Sequence, residues 1–178
     1  ACEALLLSSG LIDEAYRRYA LEANQGTTNL AMFRAIAKKY PNKLPEEILR
    51  DLIASTPGAE GKWFAAAKDA GLFAVAAQLA TRSPTDPRTL TRAARDFAVK
   101  QPDFALAAGL AALHWISLGY GYDITGADVL DAYSAVTQAA AGAGVPAQRV
   151  NEQIREMIAS AQPGDSLVKT ILARHLSG

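Results

Sequence analysis

The stretch PEEILRDLIAST, residues 45–56, decides the fold class. Its apolar residues Ile48, Leu49, Leu52 and Ile53 recur at steps of three and four, while Glu46, Glu47, Arg50 and Asp51 fill the opposite face. That spacing follows the 3.6-residue period of an α-helix and not the alternation of a strand. Pro45 suits a first helical turn, where its missing N–H costs nothing, and the two carboxylates after it complement the positive end of the helix dipole. The same logic holds on either side. RVNEQIREMIASA (149–161) aligns Val150, Ile154, Met157, Ile158 and Ala161, and SLVKTILARHL (166–176) aligns Leu167, Val168, Ile171 and Leu172. Sustained alternation and clustered β-branched residues are nearly absent, so the chain reads as all-α.

Proline and glycine set the boundaries. Asp86-Pro87 and Gln101-Pro102-Asp103 read as helix starts, and Gly10, Gly71, Gly119 and Gly144 as helix ends or interhelix corners. About eleven short helices follow, over 2–9, 11–23, 28–40, 45–55, 61–70, 72–82, 87–100, 102–118, 126–141, 146–161 and 165–176. The short connections between them predict antiparallel neighbours.

Length and composition set further bounds. At 178 residues, 50% apolar and 20% charged, the chain is long enough for one sizeable core or a short run of stacked repeats, and too apolar for disorder. No apolar run reaches the roughly 18–20 residues of a membrane span, so no membrane partner is expected. The chain opens on Ala1 and its only methionines are Met32 and Met157, which reads as a piece of a longer protein or a processed product. A single cysteine, Cys2, permits no internal disulfide, and a cytoplasmic setting is expected. Charge is segmented: residues 1–100 carry 14 Lys/Arg against 11 Asp/Glu, and residues 101–148 carry four acids and no Lys or Arg.

An internal repeat is visible. Shifted by 61 residues, 1–41 falls on 62–102 without a gap, matching Ala4 to Ala65, Gly10 to Gly71, Leu11 to Leu72, Ala15 to Ala76, Thr28 to Thr89, Arg34 to Arg95, Ala37 to Ala98, Lys39 to Lys100 and Pro41 to Pro102. The corner glycine, the small residue one turn into the next helix and the terminal proline all coincide, as a repeated three-helix unit requires. EALLLSSGLIDEAYRRYALEA (3–23) resembles the helix-turn-helix of tetratricopeptide-like repeats, with Gly10 at the corner and Ala15 and Tyr19 at the small and aromatic packing positions. WFAAAKDAGLFAVAAQLA (63–80) is similar through Gly71, Ala76 and Ala80, although Ala80 stands where an aromatic is usual and the 34-residue spacing is not kept. More faintly, these segments resemble the helical regions of large bacterial proteins carrying a SWIM-type zinc finger, whose Cys and His set this chain lacks. The resemblance implies a right-handed, tetratricopeptide-like α-solenoid, a single helical-repeat domain over 1–178, and a non-catalytic scaffold for a protein or peptide partner.

Chemistry-bearing motifs are few. His114 and His175 are the only histidines and, with one cysteine, compose no local zinc site or Cys-His pair, so neither metal nor cofactor is expected. His114 reads as a core histidine and His175 as a cation in a last helical turn. PGAEGKWF (57–64) lacks the first glycine of a phosphate loop and places Trp63 where Ser or Thr is needed; GYGYDITG (119–126) has the wrong glycine spacing for a dinucleotide fingerprint. Two surface features remain. Arg88, Arg92 and Arg95 share one helix face opposite Leu90, Ala94 and Phe97, with Asp96 one turn after Arg92, and Arg34 with Lys38 occupies the matching repeat. That face reads as a solvated surface or as a docking strip for an acidic peptide or, alternatively, for nucleic acid.

The second feature is GYGYDITGAD (119–128). Gly119 reads as a left-handed helix stop, and Thr125 with Asp128 as a capping box. Tyr120, Tyr122 and Asp123 are left over. The rings are expected either to bury with their hydroxyls bonded or to form a contact patch beside Trp115. A small-molecule or enzymatic site around His114, Trp115 and this loop is the remaining reading.

Overall fold

The computed structural model describes residues 2–161 and 166–177. Among them are eleven α-helices and no strand: α1 (Cys2–Ser8), α2 (Ile12–Ala23), α3 (Asn29–Lys39), α4 (Pro45–Ala54), α5 (Phe64–Asp69), α6 (Phe73–Arg82), α7 (Pro87–Phe97), α8 (Pro102–Ser117), α9 (Gly126–Ala143), α10 (Ala147–Ser160) and α11 (Leu167–Leu172). A 3₁₀ turn, Glu60–Trp63, leads into α5, so the helix expected over 61–70 begins as a tighter coil. No helix among the described residues is long and apolar enough to cross a membrane.

The corner glycines behave as the sequence predicts. Gly10, Gly71, Gly119 and Gly144 have φ of +75°, +74°, +84° and +71°. At each, the glycine N–H reaches the carbonyl three residues back and the next N–H reaches the carbonyl five back, as in Leu11 to Leu6 (2.9 Å) and Leu72 to Ala67 (2.9 Å). This is a Schellman stop, and it satisfies helix-end carbonyls that would otherwise lack donors. At Gly10 and Gly71 the following leucine carbonyl at once accepts from a buried alanine N–H four residues on, Ala15 and Ala76. The two corners 61 residues apart are therefore alike bond for bond.

The chain divides into two compact units, 1–79 and 80–178, with the boundary inside α6. In the first, α1 packs on α2, and α3 packs on α4 and α5. The face of α4 read from the sequence is the buried one: Ile48, Leu49 and Leu52 are fully enclosed. A polar chain runs through this core. Glu3, 6% exposed, accepts from Tyr40 Oη (2.6 Å), Asn24 Nδ2 (2.8 Å) and Lys39 Nζ (2.6 Å). The Tyr40 ring meets Tyr16 edge-on at 5.1 Å, and Tyr16 Oη donates to Asp51 Oδ2 at 2.7 Å. Burial and the neighbouring carboxylates push both phenols well above their ordinary pKa, so they stay protonated as donors.

In the second unit α7, α8 and α9 pack against one another, and α10 and α11 lie on α8 and α9. The close approach is made by small residues. Gly109 of α8 lies where a Cβ would stand 2.6 Å from Val136 Cγ2 of α9 and 3.4 Å from Ala94 Cβ of α7, and Ala105, Ala108 and Ala112 beside it are fully buried. A larger side chain here would force the three helices apart.

Two helices, α7 and α11, end well short of expectation. The seventh helix, expected to residue 100, stops at Phe97, and residues 98–100 form a turn in which Gln101 N–H returns to the Phe97 carbonyl at 2.8 Å. This places Ala98 in a cluster with Ala105 and Ala139. The last helix, expected over 165–176, starts at Leu167 and ends at Leu172; residue 165 lies outside the described residues. His175 therefore sits beyond a helix and not in its last turn. Its carbonyl accepts from Asn151 Nδ2 (3.5 Å), that of Leu176 accepts from Arg155 Nη1 (2.6 Å), and its ring lies edge-on to Tyr133. Side chains one turn apart on α10 thus take up the carbonyls that would have continued the helix.

Burial alone would raise the pKa of Glu3, but the hydrogen bonds from Lys39, Tyr40 and Asn24 outweigh it and hold the carboxyl below its ordinary value. A depressed folded pKa gives stability that is present above the unfolded value of about 4.5 and is lost as pH falls through the folded one. Glu3→Ala leaves three donors unmatched and should destabilise the first unit by about 2–3 kcal/mol in urea unfolding at neutral pH. Glu3→Gln should also melt lower at neutral pH, yet change less than wild type when the pH is brought below about 4.5. Equal acid sensitivity in the two proteins would show that Glu3 does not carry the effect.

Candidate interaction site

The site is built on the first turns of α7 and α9. Asp86 caps α7, its Oδ2 accepting from Thr89 N (2.9 Å) and Thr89 Oγ1 (2.7 Å), and Pro87 fills the first helical position. With Leu90, Ala93 and Ala94 buried, the helix turns Arg88, Arg92 and Arg95 outward, as the sequence pattern requires. At α9 the capping box is present: Asp128 Oδ2 accepts from Thr125 N at 2.8 Å and Thr125 Oγ1 at 3.1 Å.

Arg88 joins these two helix starts. Its Nε donates to Asp128 Oδ1 at 2.8 Å, its Nη2 to Asp128 Oδ2 at 3.1 Å, and the same Nη2 to the Asp123 carbonyl at 2.9 Å. A fork of this kind is the directional form of the ion pair, because the planar guanidinium matches both carboxylate oxygens. The hydrogen bonds from Arg88 and from Thr125 N hold the Asp128 carboxyl far below the usual carboxylate range, so the pair is intact at neutral pH.

The loop between α8 and α9 is fixed by this contact and by its own backbone. Gly119 and Gly121 have positive φ, and a Cβ on Gly121 would collide with Ile124 at 2.6 Å and crowd Pro87 at 3.2 Å. Asp123 is the one non-glycine with positive φ among the described residues, at +53°. Its role is now visible: the left-handed turn aims its carbonyl at Arg88, and an aspartate tolerates that conformation better than most residues.

The tyrosines depart from the expectation of burial. Tyr122 is 86% exposed and Tyr120 45% exposed. The Tyr120 ring stands perpendicular to Trp115 at 5.4 Å, the contact expected beside that tryptophan. Trp115 is itself buried, with Nε1 donating to the Ala80 carbonyl at 2.6 Å, and the His114 ring lies edge-on to it at 4.7 Å. Partial burial lowers the His114 pKa, so the imidazole is neutral at pH 7. The reason Tyr122 stays outside is geometric: positive φ at Gly121 and Asp123 on either side turns it away from the helices.

The basic residues are mostly engaged. Besides Arg88, Arg95 Nε pairs with Asp96 Oδ1 at 3.2 Å, so Asp96 serves Arg95 and not Arg92, the partner suggested by helical spacing. In the first unit Arg34 forks onto Asp69, Nε to Oδ2 at 3.0 Å and Nη2 to Oδ1 at 2.5 Å, tying α3 to α5. Among the described residues Arg92 and Lys38 have no ion pair, and both are exposed. Arg88, Thr91, Arg92, Arg95, Ile116 and Asp128 line an open groove together with Asp131, which the sequence reading overlooked. The signal for it was present, since Asp128 and Asp131 stand three apart on α9 in the segment without Lys or Arg.

Among the described residues no group of three His, Cys, Asp or Glu could hold a metal ion. No family model, curated protein or solved structure matches the chain.

Replacing Arg88 by Ala should loosen the loop and leave the helices in place. Amide hydrogen exchange over 119–128 should rise well above wild type while α3 and α4 keep their protection. Unaltered protection over 119–128 would mean that the glycine stop and capping box hold the loop without Arg88.

Proposed function

We propose that this chain is a non-catalytic, helical-repeat interaction module that docks a protein partner through the Tyr122 loop and the adjoining α7 groove. The observation that carries the reading is the exposure of Tyr122, 86%, at the tip of a loop whose backbone is held from both sides. An aromatic displayed on a fixed loop offers large contact area at small ordering cost, which is the property of an interface hot spot. Tyr120 of the same loop and Trp115 of α8 form an edge-on aromatic pair.

The repeat part of the proposal draws on the two like corners at Gly10 and Gly71 and on the tetratricopeptide-like segments around them. A right-handed solenoid of antiparallel helix pairs, with an extended face for a partner, is the architecture this reading entails. A protein partner is favoured over nucleic acid because binding a phosphate backbone needs free cations. Of Arg34, Lys38, Arg88, Arg92 and Arg95, three are already neutralised by Asp69, Asp128 and Asp96.

Selection of a random peptide library on the immobilised protein tests this. Peptides enriched on wild type should bind Tyr122→Ala about 30-fold more weakly, the equivalent of roughly 2 kcal/mol, with the helical circular dichroism unchanged. Enriched peptides that bind Tyr122→Ala as tightly as wild type would refute the docking role. Salt-sensitive capture of generic duplex DNA in preference to any peptide would move the assignment to nucleic acid.

A further inference from the structure

The α7–α9 groove has a charge pattern that its internal pairs do not use up. Arg88 is committed to Asp128, and Arg95 to Asp96. Arg92 on α7 and Asp131 on α9 line the same groove, are both exposed, and have no ion pair among the described residues. One free cation on α7 and one free carboxylate on α9 therefore line the same opening, together with Ile116 of α8.

Such a surface is a poor match for a polyanion or a uniformly acidic peptide, because the unpaired Asp131 would repel it. It is a good match for a surface carrying the same two signs in reverse order. A two-fold axis supplies that surface from the chain itself: residue i meets residue j, and j meets i. The formal net charge of zero leaves no general repulsion between copies. The exposed Tyr122 ring, on the loop pinned to the groove wall by Arg88, adds the apolar area that a pair of surface ion pairs lacks.

We infer that the α7–α9 face is a homodimer interface, in which Arg92 of each copy pairs with Asp131 of the other and Tyr122 packs across the two-fold. This rests on the proposal that the face docks protein, and it names the partner as a second copy of the chain. The ion pairs set register and orientation more than strength, so the dimer is reversible and salt-sensitive.

Sedimentation equilibrium over a concentration series tests it. Wild type should reach twice the monomer mass in low salt and dissociate as salt is raised. Arg92→Asp and Asp131→Arg, each folded by circular dichroism, should each raise the dissociation constant at least about tenfold, since like charges then face one another twice. Mixing the two single variants should restore association, because every cross-pair is again of opposite sign. A wild type that stays monomeric at about millimolar concentration would overturn the inference. So would a dimer indifferent to both substitutions, or a mixture that fails to associate. A monomeric protein whose selected peptides still depend on Tyr122 would overturn the dimer alone and leave the docking role standing.

Discussion

Arg88 is the residue on which the candidate site turns. It lies in the first turn of α7, and its guanidinium spans to the first turn of α9 and to the carbonyl of Asp123 in the loop before it. Three separate local structures, a proline-led helix start, a capping box and a left-handed turn, share this one side chain. Each is ordinary alone. Joined, they hold Gly121 against Ile124 and Pro87 and leave Tyr122 in solvent. The fork also changes what the α7 stripe can do, because an arginine spent on Asp128 is not available to a phosphate backbone.

The geometry beneath the site depends on small side chains. Gly109 allows α7, α8 and α9 to meet closely, since a Cβ there would run into Val136 and press on Ala94. The first unit is organised differently, around a buried carboxylate. Glu3 draws together the end of α2 through Asn24 and the end of α3 through Lys39 and Tyr40, and the Tyr40–Tyr16 edge contact extends the chain of polar groups to Asp51 on α4. A buried carboxylate with three donors is costly to disturb on either side, which makes it a specifier of helix arrangement as much as a source of stability.

What the sequence made legible was local. Helix positions followed from 3.6-residue periodicity, and the left-handed stops at Gly10, Gly71, Gly119 and Gly144 followed from glycine after a helical run. The Thr125–Asp128 box was readable from a three-residue spacing. What it hid was long-range. Nothing near Asp123 or Asp128 in the chain marks Arg88, 35 and 40 residues away, as their partner. The same holds for Arg34 and Asp69, and for Glu3 with Tyr40. Local spacing also assigned Asp96 to Arg92, when its geometry favours the neighbouring Arg95. The early end of α7 escaped because Ala98 is a good helix former and keeps helical angles even as the cap, the chain leaving the helix in the turn that follows it. The fate of the tyrosines was undetermined because exposure depends on backbone angles at Gly121 and Asp123 that composition does not encode.

The proposed docking role requires a loop that is ordered in the free protein, since the advantage of a displayed aromatic is the entropy it does not lose on binding. Backbone ¹⁵N relaxation over residues 119–125 reads that order directly. Order parameters close to those of the flanking helices, about 0.85, are expected for a loop held by Arg88 and Asp128. Values below about 0.6, in a protein whose helices remain rigid, would contradict a pinned loop and the docking role built on it.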